Sequence, residues 1–264
     1  MTQPKILLLD IETSFHIGAV WQCWGQNINP SQMLMEKYIL CWSGAWMGED
    51  DVISDSLHWH PEAYEEDPHN DFHVVQSLQR HLDAADIVVA HNGRRFDIPM
   101  INNRMITHGM QPPSAYTIYD TLAAARRNFK FPYNKLDCIA EKLKVGRKLD
   151  TDFDLWKDIV LYQDTEAFDR MVEYCEQDVE ILEQVYLKLR PWDAKHPSTV
   201  VAATDDETMK CNSCGSTHIV KNGSWNTQTQ TYQKYKCQSC GHNMRSRKAD
   251  PKTREEKAIL LRSI

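Results

Sequence analysis

The sequence predicts an α/β fold, one mixed β-sheet flanked by helices, followed by a small C-terminal module tied together by cysteines. Three observations carry this expectation. The segment KILLLD near the N-terminus is a near-continuous apolar run ending in acid, the pattern of a buried central strand. Two further strand-like segments follow, then a helix, a strand and a helix, and helical periodicity dominates from Asp120 to Leu189. Four of the eight cysteines fall in two C-x2-C pairs in the last quarter of the chain, where the charge also changes sign.

Taken in order, the first strand leads into an irregular insert rich in Trp and Asn, SFHIGAVWQCWGQNINPSQM. YILCWSGAWM and VISDSLHW read as two strands separated by a turn at residues 48–51. HPEAYEEDPHND is acidic and Pro-flanked, and reads as a surface loop with solvated histidines. FHVVQSLQRHLDAA has helical spacing, and DIVVAHN is another short buried strand. A helix is expected from Ile98, after Asp97, with Pro99 in its first turn. The stretch RPWDAKHPSTVVAATDDETM, with Pro191 and Pro197, marks a linker. The expected domains are therefore residues 1–194, and a linker with its C-terminal module over 195–264.

The 264 residues carry 30 Lys and Arg against 37 Asp and Glu, a formal charge of −7. With 42% hydrophobic and 25% charged residues, the composition excludes a disordered or fibrous chain. No apolar run approaches the roughly 18 residues that span a bilayer. The opening MTQPKILLLDIET does not read as a signal peptide, so a cytoplasmic location is expected. The charge is uneven: residues 1–194 hold 18 basic and 31 acidic residues, and residues 195–264 hold 12 and 6. The −7 total counts against a phosphate-rich partner, yet the tail alone is basic enough to meet one.

Cys23, Cys41, Cys138 and Cys175 are scattered without shared spacing and are expected to be reduced, buried thiols. Cys211, Cys214, Cys237 and Cys240 form C-x2-C, a 22-residue gap, then C-x2-C, and each pair is followed by glycine, Gly215 or Gly241. That step lets two thiolates converge on one tetrahedral Zn²⁺ while turn N–H groups point at sulfur, and the glycine relieves the turn. Disulfides would need an oxidising compartment, for which the sequence has no signal. Between the pairs, HIVKNGSW and TYQKYKC read as strands, with Asn222-Gly223 as a turn. Lys221, Lys234, Lys236, Arg245, Arg247 and Lys248 are interleaved with Trp225, Tyr232 and Tyr235, a combination suited to tracking phosphates and stacking bases. The plain alternative is a small aromatic core stabilised by its metal. The segment resembles the zinc ribbons at the ends of some transposition and replication proteins. The final stretch TREEKAILLRSI reads as a helix.

Four acidic positions stand out in the first domain. Asp10 and Glu12 lie two apart at the end of the first strand, on one face and roughly 7 Å apart along it. Burying such a pair is costly unless a cation neutralises it. Asp97 closes AHNGRRFD just after a strand, and Asp178 lies on a helix with Tyr174 one turn before it. Singly, Asp97 reads as a helix N-cap, Tyr174 as a core aromatic and Asp178 as a solvated charge. Their order and contexts together point to one site.

These residues match the three exonuclease motifs of the DEDD superfamily in its tyrosine-bearing DEDDy branch, an RNase H-like fold. LLLDIET, VAHNGRRFDIPMI, PYNKLDCIAEKLKVGRK and YCEQDVEILEQVY are similar to segments of the proofreading domains of family B DNA polymerases. The likeness covers about residues 5–190. Glu173 stands where the histidine-bearing branch would place its His. No polymerase domain follows, and a stand-alone form with a zinc ribbon resembles bacteriophage proteins. The resemblance implies that Asp10 bridges two ions, that Glu12 and Asp178 complete one ion and Asp97 holds the other, and that Tyr174 orients the attacking water.

The implied activity is 3′–5′ exonucleolytic hydrolysis of single-stranded DNA, or of DNA 3′ ends, to 5′-mononucleotides. The cofactors would be two Mg²⁺ or Mn²⁺ ions, chosen by hard oxygen ligands, and one structural Zn²⁺. Asn92 is a candidate substrate contact, and Arg94, Arg95, Arg126, Arg127, Lys130, Lys135, Arg147 and Lys148 are candidates for the strand backbone, with plain surface charge as the alternative. Phe96 reads as core. Asp120 reads as a helix N-cap, a supporting partner of the site or a further metal ligand. Two other functions stay open: an exoribonuclease on the same fold, and a non-catalytic module recruiting replication or repair proteins.

Overall fold

The structure is a computed structural model that describes residues 4–25, 27–146, 151–200 and 208–250. Arg147, Lys148 and the TREEKAILLRSI stretch lie outside the described residues. Residues Lys5–Lys188 form one compact unit, and the described residues from Leu189 onward belong to a second.

In the first unit the elements run β1 (Ile6–Thr13), β2 (Ile17–Gly18), β3 (Met33–Met35), β4 (Ile39–Trp46), β5 (Val52–Ser56), α1 (Pro61–Glu66), α2 (Phe72–Ala84), β6 (Ile87–Ala90), α3 (Asp97–Thr107), β7 (Thr117–Asp120), α4 (Thr121–Asn128), α5 (Leu136–Leu143), α6 (Phe153–Tyr162) and α7 (Thr165–Leu189). The sheet order is β5-β4-β1-β6-β7. β1 pairs antiparallel with β4 and parallel with β6, so the expected mixed sheet flanked by helices is present, with β1 at its centre.

The two faces of β1 have different fates because its side chains alternate. Leu7, Leu9 and Ile11 enter the main apolar core. Trp42, the register partner of Ile11, reaches from that face to α2, where its Nε1 donates to Ser77 Oγ at 3.0 Å. The opposite face carries Asp10 and Glu12. Asp71, fully buried before α2, accepts from the Ile39 backbone N–H at 2.7 Å and from Nε and Nη2 of the Arg104 guanidinium on α3. The desolvated charge is thereby paired and hydrogen-bonded in one place.

Several expectations need correction. The stretch read as a loop after His60 contains α1, with Pro61 at its first position and Glu62 in its first turn, both helix-start features. VISDSLHW is a strand only to Ser56 and then makes a 3₁₀ turn. The insert after β1 contains the small β2–β3 hairpin. TIYD is an edge strand, β7, paired parallel with β6. The helix after the Asn-Gly turn starts at Asp97 itself, with Phe96 at the cap position, so the Asp97 side chain is not the cap. Of the four scattered thiols, Cys41 and Cys175 are buried as expected, but Cys23 is exposed and Cys138 half-buried. Phe96, expected in the core, is 40% exposed.

The second unit contains β8 (Ile219–Asn226), β9 (Thr231–Cys237) and β10 (Asn243–Arg245) in an antiparallel sheet ordered β10-β9-β8. Asn222-Gly223 is not the hairpin turn: Lys221 pairs with Tyr235 and Ser224 with Gln233, which leaves two residues of β8 opposite one of β9. Gly223, at φ +75°, supplies the left-handed conformation of that bulge. The chain reverses instead at Thr227–Gln230, where each backbone bonds the other's side chain or carbonyl. Among the described residues no helix is long and apolar enough to cross a membrane.

Candidate functional site

Asp10 and Glu12 project from β1 on the face covered by α7. Ser43, opposite Asp10, lies 2.9 Å from Ser54 Oγ, which donates to Glu176 Oε1 of α7 at 2.7 Å. Cys175 Sγ lies 3.6 Å from both the backbone O and Oδ2 of Asp10. Asp178, buried and three residues further along α7, completes the group: Asp10, Glu12 and Asp178 each offer an oxygen atom within 4.8 Å of the others. Three converging carboxylates repel one another unless a cation sits among them. Their hard oxygen atoms fit Mg²⁺ or Mn²⁺.

Tyr174 is buried one helical turn before Asp178 and packs edge-on against Trp156, with ring centroids 6.1 Å apart. Trp156 Nε1 donates to the Thr13 carbonyl at the end of β1, at 3.1 Å. The tyrosine is thus held between the helix and the strand that bear the carboxylates.

Asp97 does not belong to the three-carboxylate group, but it borders β1. β1 continues past its last pair with β6, Leu8↔Val89, and the backbone N–H of Ile11 faces the Asp97 carboxyl. Burial pushes this carboxyl up to about 7, its own N–H and that of Ile11 oppose the rise, and Asp120 adds to it. A raised folded-state value means that the folded chain holds this proton more tightly than the unfolded one, stabilising the protein at acid pH. Without divalent ions, thermal unfolding followed from pH 5 to 8 should therefore show stability falling as pH rises through about 7. A flat profile in Asp97→Asn beside a falling wild-type profile is the expected control; identical slopes would remove Asp97 as the cause.

The turn leading to Asp97 is built from backbone geometry. Asn92 is left-handed at φ 69°, and a Cβ on Gly93 would come within 2.5 Å of Ala90 Cβ, so only glycine fits there. Asp120 fastens this turn. Its carboxylate accepts from Asn92 N at 3.2 Å and Arg94 N at 3.3 Å, and caps α4 through Ala123 N at 3.0 Å. The N-cap reading of Asp120 and its reading as a supporting partner of the site are thus both observed, but the groups it holds could not be named from sequence because Asn92 is 28 residues away. Asp120→Ala should lower stability by about 2 kcal/mol, the upper range for a lost cap, because two further N–H groups lose their acceptor. Chemical denaturation would measure it, and a change below about 0.5 kcal/mol, typical of a surface substitution, would contradict the fastening role.

The other candidates are dispersed. Arg94 is exposed and its Nη2 donates to the Ile118 carbonyl, while Arg95 is exposed beside it and Asn92 is half-buried. Lys135 is exposed at the N-cap of α5. In the second unit, the Arg245 guanidinium lies 4.9 Å from the Trp225 ring centre and 4.1 Å from that of Tyr232, an intramolecular cation–ring contact that the sequence did not indicate. Lys221, Arg247 and Lys248 are exposed.

The four ribbon sulfurs also gather within 4.8 Å of one another. Cys211 Sγ lies 3.7 Å from Cys240 Sγ, and Cys214 Sγ 3.7 Å from Cys237 Sγ. A tetrahedral zinc with Zn–S of about 2.3 Å has sulfurs about 3.8 Å apart, so the set fits Zn²⁺. Gly215 and Gly241 are left-handed at φ +75° and +82°. Burial opposes ionisation of Cys237, yet the N–H groups of Cys240 and Ser239, and the thiols of Cys240 and Cys214, bring it down to about 6. Burial pushes the thiols of Cys211 and Cys214 the other way, so the second unit has a preformed cluster of four sulfurs in which Cys237 is the readiest thiolate.

In sequence, residues 49–190 match a family described as the RNase_H superfamily. The matched span includes Asp97, Tyr174 and Asp178 and begins after β1. No curated protein sequence matches the chain. Among solved structures, a family B DNA polymerase from the hyperthermophilic archaeon Pyrobaculum calidifontis is similar, with a TM-score of 0.51 and 13% identity over 72% of this chain and 26% of the polymerase chain. The chain spans about a quarter of that polymerase's length, and the likeness is one of fold.

Proposed function

The chain belongs to the RNase_H superfamily, and we propose that it is a DEDDy-type, metal-dependent 3′–5′ exonuclease acting on single-stranded DNA or DNA 3′ ends. The observation that carries this is the convergence of Asp10, Glu12 and Asp178 from β1 and α7, with Asp97 bordering the same strand. Family membership supports nuclease activity, and the direction, substrate and residue roles are part of the proposal. In this reading residues 1–194 carry the nuclease, and 195–264 the linker and a zinc ribbon that adds grip on nucleic acid.

Asp10, Glu12 and Asp178 would hold one divalent ion, and Asp10 with Asp97 a second. Such an ion pair supplies a hydroxide at neutral pH and offsets charge on the pentavalent phosphate. Tyr174 orients the attacking water by hydrogen bond, because a phenol with a pKa of about 10 is a poor proton acceptor at pH 7. Asn92 and the exposed Arg95 would contact the strand that delivers its terminal phosphodiester. Cys211, Cys214, Cys237 and Cys240 would hold one structural Zn²⁺.

Degradation of 5′-labelled and 3′-labelled single- and double-stranded DNA and RNA tests this. A 3′ label should leave at once as a 5′-mononucleotide, and a 5′ label should shorten stepwise. EDTA should stop the reaction, and Mg²⁺ or Mn²⁺ restore it. Internal cuts, or loss of the 5′ label first, would sink the exonuclease direction.

A further inference from the structure

We propose that the cavity beside α5, with the aromatic loop that precedes the helix, seats unpaired bases of a nucleic-acid strand on its way to the acidic site. The proposal rests on the nuclease reading and gives it a location for strand binding. Residues 126–146 carry six Lys and Arg against Asp137 and Glu141, inside a domain that is otherwise strongly acidic. All six (Arg126, Arg127, Lys130, Lys135, Lys142 and Lys144) lie at the surface, exposed or half-buried. Their charges lie at the surface, where phosphates can approach, and not in the core.

Aromatic rings alternate with these cations. Phe129 and Phe131 stack with centroids 5.2 Å apart and planes 25° from parallel, and Tyr133 is 72% exposed. A cavity of about 400 Å³ opens here, lined by Phe131 and Tyr133 from the loop and by Cys138, Lys142 and Lys144 of α5 and its end. α5 is amphipathic in the required sense. Leu136, Ile139 and Ala140 face the core, and Cys138, Glu141 and Lys142 face outward. Glu141 also lines the cavity, from the helix side.

The loop is fastened towards the candidate site. The ring of His91, next to Asn92, lies 2.9 Å from Thr121 Oγ1 through Nδ1 and 2.9 Å from the Asn134 carbonyl through Nε2. One imidazole thus spans the start of the Asp97 turn and the end of the aromatic loop. Exposed rings with flanking cations recognise bases through their π-faces, which are free in a single strand and covered in a duplex. The same faces occur in DNA and RNA, so this seat selects strandedness and not sugar.

Cys138 provides a probe inside the cavity. The full chain, with Ca²⁺ in place of Mg²⁺, is alkylated with a maleimide while oligo-dT, oligo-U or a blunt hairpin is present, and labelling is read at each cysteine by mass spectrometry. Anisotropy of a labelled strand reports how much is bound. Bound single strands of either sugar should slow Cys138 labelling severalfold and leave Cys23 unchanged, and the hairpin should have no effect. Tyr133→Ala, at a solvated position that does not build the core, should weaken single-strand affinity about tenfold, within the range for one base stack. Undiminished Cys138 labelling with the strand bound, equal protection by the hairpin, no single-strand binding at all, or wild-type affinity in Tyr133→Ala would each overturn the seat. Turnover measured with Mg²⁺ on the same preparations separates the two readings. Hydrolysis with Cys138 unprotected rejects only the seat, and protection without hydrolysis rejects only the nuclease.

Discussion

Asp10→Ala and Asp178→Ala are each expected to reduce nucleotide release by at least about three powers of ten, because loss of metal-based charge stabilisation costs several kcal/mol in the transition state. The geometry makes this loss separable from misfolding. Asp10, Glu12 and Asp178 place like charges within 4.8 Å of one another, and removing one of them relieves repulsion when no ion is present. The metal-free variants should therefore melt no lower than wild type while losing activity. Divalent ions should raise the melting temperature of wild type and not of the variants, since only a bound ion stabilises the folded state by mass action. Full turnover in either variant would remove the three-carboxylate group from the reaction. A lowered melting temperature with residual activity restored on cooling would reassign these residues to structure.

How much of this could be read in advance depends on how far apart the interacting residues are. Asp10 and Glu12 were legible because a strand fixes the shared face of positions two apart, and acids at the end of an apolar run are costly. The four converging cysteines were legible for the same reason, since each C-x2-C pair closes within one turn and the left-handed Gly215 and Gly241 follow directly. Partners distant in sequence left no such trace. The grip of Asp120 on the Asn92 and Arg94 N–H groups, the tie from His91 to Asn134 and the approach of Cys175 to Asp10 depend on how the elements dock. The strand β7 was missed because four residues ending in a helix cap show no periodicity. Asn222-Gly223 misled for an instructive reason. Its preference for positive φ was right, at φ +75° for Gly223, but a bulge uses that conformation as well as a hairpin turn does.

Replacing Cys211 and Cys214 together by Ser should unfold the second unit and leave the first intact. The β-sheet of the second unit can supply little hydrophobic stabilisation by itself. Every residue of β8 after Ile219 is exposed, and in β9 only Cys237 is buried. Among the described residues of this unit the buried groups after Leu189 are mainly polar or sulfur-bearing, including Cys211, Cys237, Ser213 and His242. A module of this kind takes its folding free energy from the metal, about 10–16 kcal/mol for structural zinc in small fingers. Loss of two thiolates removes that stabilisation, and amide hydrogen exchange over residues 208–250 should rise to the unprotected rate. The acidic first unit then has to hold nucleic acid without the basic tail of 12 Lys and Arg against 6 Asp and Glu. Affinity for a single strand should fall, and the salt dependence of binding should flatten by about 0.7 for each phosphate that the tail no longer neutralises. Turnover on oligonucleotides too short to reach the ribbon should persist, because the carboxylates, Tyr174 and the Asp97 turn all lie within Lys5–Lys188. If that turnover disappears while Lys5–Lys188 keeps its melting transition, the ribbon takes part in the reaction. If exchange over 208–250 stays slow, the four sulfurs are not what folds it.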